Sequence, residues 1–210
     1  FDGGTLNTCF LALDQHVING QGDQPALLYD SPVTGKKRSF TYNQLLEETS
    51  LFAGALAELG VEKGDRVVIY MPMIPEAVIA MLACARIGAP HSVVFGGFSP
   101  QSLADRINDL GATCLITADG GYRRGGIVPL KVNADKALES CETVKSVIVV
   151  ARGGRLSEEI SVEMCSSRDY WYHELTAGAD TNCNPEVMDS EDLLFVLYTS
   201  GTTGKPKGIV

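Results

Sequence analysis

Near the end of the chain, Tyr198-Thr199-Ser200-Gly201-Thr202-Thr203-Gly204-Lys205-Pro206-Lys207-Gly208 gathers the residue types that grip phosphate. Glycines let backbone N–H groups come close to an anion, the hydroxyls of Thr199, Ser200, Thr202 and Thr203 donate further hydrogen bonds, and Lys205 and Lys207 bring charge. The ligand that suits such a run is a polyphosphate. It is not a Walker A loop, which has four residues between its first Gly and the Gly-Lys and a Ser or Thr after the Lys; here Thr202 and Thr203 alone intervene and Pro206 follows Lys205. That spacing disfavours a P-loop ATPase or kinase, and leaves a solvated Gly/Ser/Thr surface loop as the structural alternative.

Other chemistry-bearing residues are dispersed. The six cysteines, Cys9, Cys84, Cys114, Cys141, Cys165 and Cys183, form no CxxC pair and have no His cluster beside them, so they read as reduced, mostly buried thiols rather than metal ligands. His16, His91 and His173 are too far apart for a triad or a metal site and read as structural or surface residues, as does Asp14 beside His16. Tyr170, Trp171 and Tyr172 read as packing. With 17 Lys and Arg against 26 Asp and Glu, a net charge of -9, the chain has no footprint for nucleic acid or anionic lipid, so an anionic ligand needs a local site. No apolar run approaches the roughly 18 residues of a membrane span, and no signal-peptide pattern opens the sequence. The chain therefore reads as soluble and intracellular.

The elements that would carry the loop alternate between helix and strand from about Pro25 onward. Thr41 and Gln44 have capping-box spacing, and Leu45, Leu46, Phe52, Leu56 and Leu59 lay an apolar face along a helix over 41–59, stopped at Gly60. The continuous β-branched run 66–71 predicts a strand buried on both faces and ended by Pro72. A helix over 74–87, a strand over 92–95, and a helix capped by Ser99 with Pro100 at its first position follow. Strands over 114–117 and 147–150 flank a helix around 130–139, and 152–184 reads as irregular connection with one short helix near 170–176. A last buried strand, 193–197, delivers the chain into the phosphate loop. Strand and helix alternating this often predict an α/β fold, a mostly parallel sheet flanked by helices.

The loop string resembles the phosphate-loop signature of the adenylate-forming superfamily, which includes acyl-CoA synthetases, luciferases and peptide-synthetase adenylation domains. Phe40-Thr41-Tyr42 with Leu45 is similar to that superfamily's early helix motif. Phe1-Asp2-Gly3-Gly4-Thr5-Leu6-Asn7, Leu13-Asp14-Gln15-His16 and Gly88-Ala89-Pro90-His91-Ser92-Val93-Val94-Phe95-Gly96-Gly97-Phe98-Ser99 resemble the acetyl-CoA and propionyl-CoA synthetase branch. The resemblance spans the chain and implies a partial large domain: a leading segment 1–24, an α/β region 25–197 and a phosphate-binding loop 198–208, with the remainder of that domain and the small carboxy-terminal domain expected outside these residues.

The resemblance also implies a chemistry. A carboxylate attacks the α-phosphate of ATP, giving an acyl-adenylate and pyrophosphate, and the thiol of coenzyme A then displaces AMP. Thr199, Ser200, Gly201, Thr202, Thr203, Gly204, Lys205 and Lys207 would hold the β- and γ-phosphates, with Mg²⁺ bridging phosphate oxygens. Gly96 and Gly97 match positions where the backbone passes close to coenzyme A, a tight turn being the alternative reading. Arg123 and its neighbour Arg124 match a stretch that pairs with coenzyme phosphates; the second basic residue expected three positions on is Gly126, and a solvated loop is again the alternative. No catalytic residue is assigned within the chain. The expected substrate is acetate or propionate, in the cytoplasm or the mitochondrial matrix, and the 210 residues alone are expected to be inactive. A non-catalytic nucleotide or coenzyme A binding module is the competing reading.

Overall fold

The computed structural model describes residues 3–152, 156, 159–179, 183–199 and 207–210. A short strand, β1 (Thr5–Leu6), leads into two π-helical turns, Phe10–Asp14 and Val17–Gln21. This segment is fastened to the body by polar groups: Asn7 Nδ2 donates to Ala85 O at 3.0 Å, Arg86 O at 3.1 Å and Glu186 O at 2.9 Å. Asp14 takes both guanidinium nitrogens of the buried Arg86, at 2.9 and 3.1 Å, so its place in the sequence next to His16 has a structural cause.

Strands β2 (Pro25–Ser31) and β3 (Lys36–Thr41) form an antiparallel hairpin, which the sequence reading did not separate from the rest of the α/β region. Thr41 then caps α1 (Tyr42–Glu58): its side chain accepts from Gln44 N while Gln44 Oε1 accepts from Thr41 N, the reciprocal box expected from the spacing. The chain next alternates β4 (Val67–Met71), α2 (Pro75–Arg86), β5 (His91–Phe95), α3 (Pro100–Leu110) and β6 (Cys114–Ala118). A small hairpin, β7 (Gly121–Arg123) and β8 (Gly126–Val128), precedes α4 (Leu130–Leu138) and β9 (Ser146–Val150). Every residue of β4, β6 and β9 is buried, as a parallel strand covered on both faces demands.

The reading of 152–184 needs correction. Within it, β10 (Asp169–Trp171) pairs parallel with β9 and is the fifth strand of the sheet, and the helix that follows, α5 (Tyr172–Gly178), starts two residues later than expected. Three residues headed by an aspartate carry no strand pattern. The strand exists because the Asp169 carboxylate is buried against Lys131 of α4 at 2.8 Å, a contact remote in sequence. Tyr172 packs on Phe52 of α1 with ring centroids 4.7 Å apart, in line with the packing reading of that aromatic cluster.

The five strands are all parallel in the order β10-β9-β6-β4-β5. From β4 the chain moves outward to β5 in one direction, then returns past β4 to β6 and continues to β9 and β10 in the other. Right-handed crossovers in opposite directions put their helices on opposite faces. Accordingly α1, α2 and α5 pack together, and α3 packs with α4. The neighbours β4 and β6 thus form the point at which the direction of winding reverses, and their carboxyl ends open onto a crevice.

The segment 193–197 also departs from expectation. Of it only Val196 is buried, while Leu193, Phe195 and Leu197 are 37–51% exposed. It runs along the free edge of β5 and joins it through one parallel bridge, His91 to Phe195, with Val196 N donating to His91 O at 2.9 Å. Strand geometry begins only at β12 (Leu197–Thr199), which pairs antiparallel with β13 (Lys207–Ile209); β11 (Met188–Asp189) closes back on β1. Apolar residues predict burial only where a neighbour covers both faces, and here the described residues supply one side.

Candidate functional site

The phosphate-type loop is framed by a hairpin. Thr199 stands directly opposite Lys207 across β12 and β13, both exposed, so the run between them is held at its two ends by a ladder. Ser200, Gly201, Thr202, Thr203, Gly204 and Lys205 lie outside the described residues. The hairpin is tied to the body by Tyr198, whose hydroxyl donates to Asp109 of α3 at 2.7 Å. Burial, and next the bond to Asp109, pushes the Tyr198 phenol well above its ordinary pKa. Beside the hairpin lies an open depression of about 570 Å³ lined by Arg66, Asp109, Tyr198 and Lys207.

A second feature is the turn after β5. The phenol of Tyr70, fully buried in β4 and raised in pKa by that burial, donates to Phe98 O at 2.9 Å and to Gly96 O at 3.4 Å, pinning the turn to the sheet. Neither Gly96 nor Gly97 adopts positive φ, so the turn itself does not require glycine at either position. Their surroundings differ. A Cβ on Gly97 would collide with the Arg123 guanidinium and come within 2.5 Å of the Phe95 ring, whereas one on Gly96 would meet Leu130 at 3.4 Å and Met71 O at 3.5 Å, ordinary contact distances.

Arg123 is brought to this turn. Its Nη1 donates to Gly97 O at 3.2 Å and its guanidinium lies 5.0 Å from the Phe95 ring centroid. Three of the four residues matched to coenzyme contacts, Gly96, Gly97 and Arg123, therefore converge, although they come from two strands' ends. Arg124 points elsewhere: with Gly125 it forms the two-residue turn between β7 and β8, and both lie at positive φ, 51° and 78°. Arg106, which the sequence reading passed over, joins the two features. Its guanidinium is buried between Phe98 of the turn, 4.5 Å from the ring centroid, and Tyr198 of the loop hairpin, at 5.5 Å.

At the winding-reversal crevice there is a groove of about 580 Å³, lined among others by Lys36 and Arg38 of β3, Glu76 at the start of α2, Arg123, Arg124 and Arg152. Asp119, buried at the end of β6, organises its floor by accepting from Gly120 N at 2.7 Å and Arg152 N at 3.0 Å. Sequence spacing held no hint of this convergence, because its cations come from three separate stretches.

Comparison with known proteins decides the family. A family model described as "AMP-binding enzyme" matches residues 14–210. The chain belongs to the AMP-binding enzyme family. Among its relatives, the acetyl-coenzyme A synthetases of Gemmatimonas aurantiaca, Rubrobacter xylanophilus and Halorhodospira halophila are 57%, 54% and 52% identical to it over its whole length. The chain spans about a third of these relatives, 32% in each.

Within this member of the family the remaining titratable groups have structural surroundings. His91 is buried, which pushes its imidazole pKa down to about 4. His16 stacks on Tyr42 at 4.5 Å and shares a 2.7 Å hydrogen bond with Gln21. Cys9, Cys84, Cys114 and Cys141 are buried, Cys165 is exposed and Cys183 half-buried. Burial pushes the Cys9 and Cys114 thiols up to about 11, away from nucleophilic use. Among the described residues no group of three or more His, Cys, Asp or Glu side chains is placed to hold a metal ion, and no helix is long and apolar enough to cross a membrane.

Proposed function

We propose that this chain is the amino-terminal part of an enzyme that activates acetate with ATP, forming acetyl-adenylate and then acetyl-CoA, and that it contributes the phosphate loop and one wall of the coenzyme site. The observation that carries the reading is the loop string set between two paired strands, in a chain more than half identical to proteins named acetyl-coenzyme A synthetase. The activity named for those relatives favours acetate over propionate.

Residues 198–208 would be the phosphate-binding loop, with Thr199, Ser200, Gly201, Thr202, Thr203, Gly204, Lys205 and Lys207 donating to the β- and γ-phosphates. Their task is to position and neutralise charge as pyrophosphate departs, and none acts as a nucleophile. Mg²⁺, carried in with ATP, would add charge neutralisation at the phosphate oxygens. For coenzyme A the fit rests on Gly96, half-buried in the turn and tolerant of a Cβ as far as the protein's own atoms are concerned, and on the Arg123 guanidinium, which is bonded to the next residue of that turn. The cytoplasm is the compartment this reading favours, in keeping with bacterial relatives.

The test is ATP–pyrophosphate exchange with acetate and with propionate, run on the complete protein and on the 210-residue chain. Acetate-dependent exchange by the complete protein alone is the expected result, because the chain spans a third of its relatives. Exchange supported by propionate in preference would correct the substrate. No exchange with either acid would reject the enzyme and leave the nucleotide-binding module.

A further inference from the structure

Every residue of β4 is buried, and one of them, Tyr70, carries a hydroxyl into that apolar setting. Phenylalanine would fill the same space without desolvating an O–H, so what the hydroxyl adds lies in its bonds. Strand pairing sets Tyr70 beside Val94 of β5 and Thr117 of β6, near the carboxyl end of the sheet, and Thr117 Oγ1 donates to Tyr70 O at 2.8 Å. The backbone that carries the ring is thus fixed. From it the phenol reaches past the end of β5 to Phe98 O at 2.9 Å and Gly96 O at 3.4 Å, one proton shared between two carbonyls. Burial pushes the phenol pKa up, and a hydrogen bond with the Asn133 side chain of α4 opposes that push.

The turn that receives this bond has little else to order it. Gly96 and Gly97 are adjacent and neither takes a positive φ, so nothing intrinsic to glycine selects the observed conformation, while ordering a glycine costs more backbone freedom than ordering any other residue. The flanks are held independently: Phe95 belongs to the β5 ladder, and the Phe98 ring lies edge-on to Phe95 at 5.7 Å and 4.5 Å from the Arg106 guanidinium. Between the flanks, the side chains bonded to the glycine carbonyls are Tyr70, at Gly96 O, and Arg123, at Gly97 O. Arg123 is exposed and its bond competes with water; Tyr70 is fully buried, and its bond is the firmer fastening.

We propose that Tyr70 is a positioning residue for the coenzyme step, its hydroxyl holding the Gly96–Gly97 turn in the conformation that receives coenzyme A, with no part in adenylation. The inference rests on the acetate–coenzyme A reading and adds to it a residue that touches neither substrate. Without the bond the turn samples other conformers, and the apparent affinity for coenzyme A falls with the fraction that stays competent, while the chemistry after binding is untouched. The phosphate loop is tied separately, through Tyr198 and Asp109.

The test is Tyr70→Phe in the complete protein, which keeps the ring and removes the hydroxyl, assayed by KM for coenzyme A, kcat at saturating coenzyme, and ATP–pyrophosphate exchange. A hydrogen bond of this kind corresponds to about three- to tenfold in the population of the held turn. KM for coenzyme A should rise by that factor, with kcat and pyrophosphate exchange within about twofold of wild type. Tyr70→para-aminophenylalanine, which restores a donor at the same place on the ring, should bring KM back to within about twofold, a rescue that a role confined to packing would not give. An unmoved KM, a parallel fall in exchange, or the absence of rescue overturns the proposal. Should Tyr70→Phe fail to fold, the para-amino variant decides alone, a near-normal KM supporting the proposal and a several-fold rise overturning it. If the complete protein shows no acetate-dependent exchange, the proposed function fails by itself. Calorimetric affinity for coenzyme A then judges Tyr70: weakening by Tyr70→Phe supports its role, and unchanged affinity, or no binding to wild type, overturns it.

Discussion

Gly96→Ala isolates the coenzyme reading from the fold. At a backbone conformation that alanine adopts, replacing glycine stabilises by about 0.4–1 kcal/mol through the unfolded chain. Against this stand the new contacts, 3.4 Å to Leu130 Cδ2 and 3.5 Å to Met71 O, which are ordinary and cost little. The variant should therefore fold with a stability within about 1 kcal/mol of wild type. If coenzyme A packs against the part of this turn that the added methyl also reaches, overpacking of that size costs about 1–3 kcal/mol, or roughly 5- to 150-fold in affinity. The assay is KM for coenzyme A in the complete ligase reaction, beside thermal unfolding and coenzyme-free ATP–pyrophosphate exchange. The expected outcome is a raised coenzyme KM with exchange and unfolding temperature unmoved. An unchanged KM would reduce Gly96 to a turn residue, and a parallel fall in exchange would place the damage in adenylation. Gly97→Ala is no substitute for this experiment, because its Cβ displaces Arg123 and crowds Phe95.

Three further outcomes follow from the geometry. Asp169 is pushed up by burial but pulled further down by hydrogen bonds from Arg168 and Lys131, so its carboxyl sits below the usual range; the stability it contributes is complete above the unfolded pKa near 4 and is lost as pH falls through the folded value. Asp169→Asn should remove that acid dependence in a urea-unfolding series and cost about 3 kcal/mol, the low end for a broken buried pair because Asp135 still holds Lys131 at 2.7 Å; a loss under about 1 kcal/mol would refute it. His91 titrates near 4 in the folded chain and near 6.5 when unfolded, so stability should fall between pH 6.5 and 4 by on the order of 1.4 kcal/mol per unit, and His91→Gln should flatten that slope. Tyr198→Phe removes the 2.7 Å bond to Asp109 and should cost about 1 kcal/mol while raising KM for ATP several-fold with KM for acetate unchanged; equal changes in both would mean that the hairpin does not hold the phosphate loop.

What the sequence made legible is what local pattern determines. The Thr41 capping box, the all-buried run of β4 and the Ser99-Pro100 helix start each depend on residues within a turn of one another, and each is found where spacing puts it. The failures share one cause. β10 exists because Asp169 meets Lys131 from another element, and 193–197 stays exposed because burial depends on what lies across from a strand rather than on its own composition. The same distinction separates the two halves of the candidate site. A phosphate loop is contiguous and carries its signature in one string, whereas Lys36, Arg124 and Arg152 line one groove only after β3, the β7–β8 turn and the end of β9 have been folded against the same crevice.

That distinction also ties the two proposed ligand sites together mechanically. Arg106 is buried between the Phe98 and Tyr198 rings, and its Nη1 donates to Ser102 O at 2.6 Å, so the turn bearing Gly96 and the hairpin bearing the phosphate loop rest on one side chain of α3. Arg106→Leu keeps the apolar stem but removes the charge that both rings face and the bond that orients it. It should lower affinity for ATP and for coenzyme A together, by a few-fold each, where Tyr198→Phe touches ATP alone and Gly96→Ala touches the coenzyme alone. A change in one affinity without the other would show that the guanidinium packs against the two segments without positioning both.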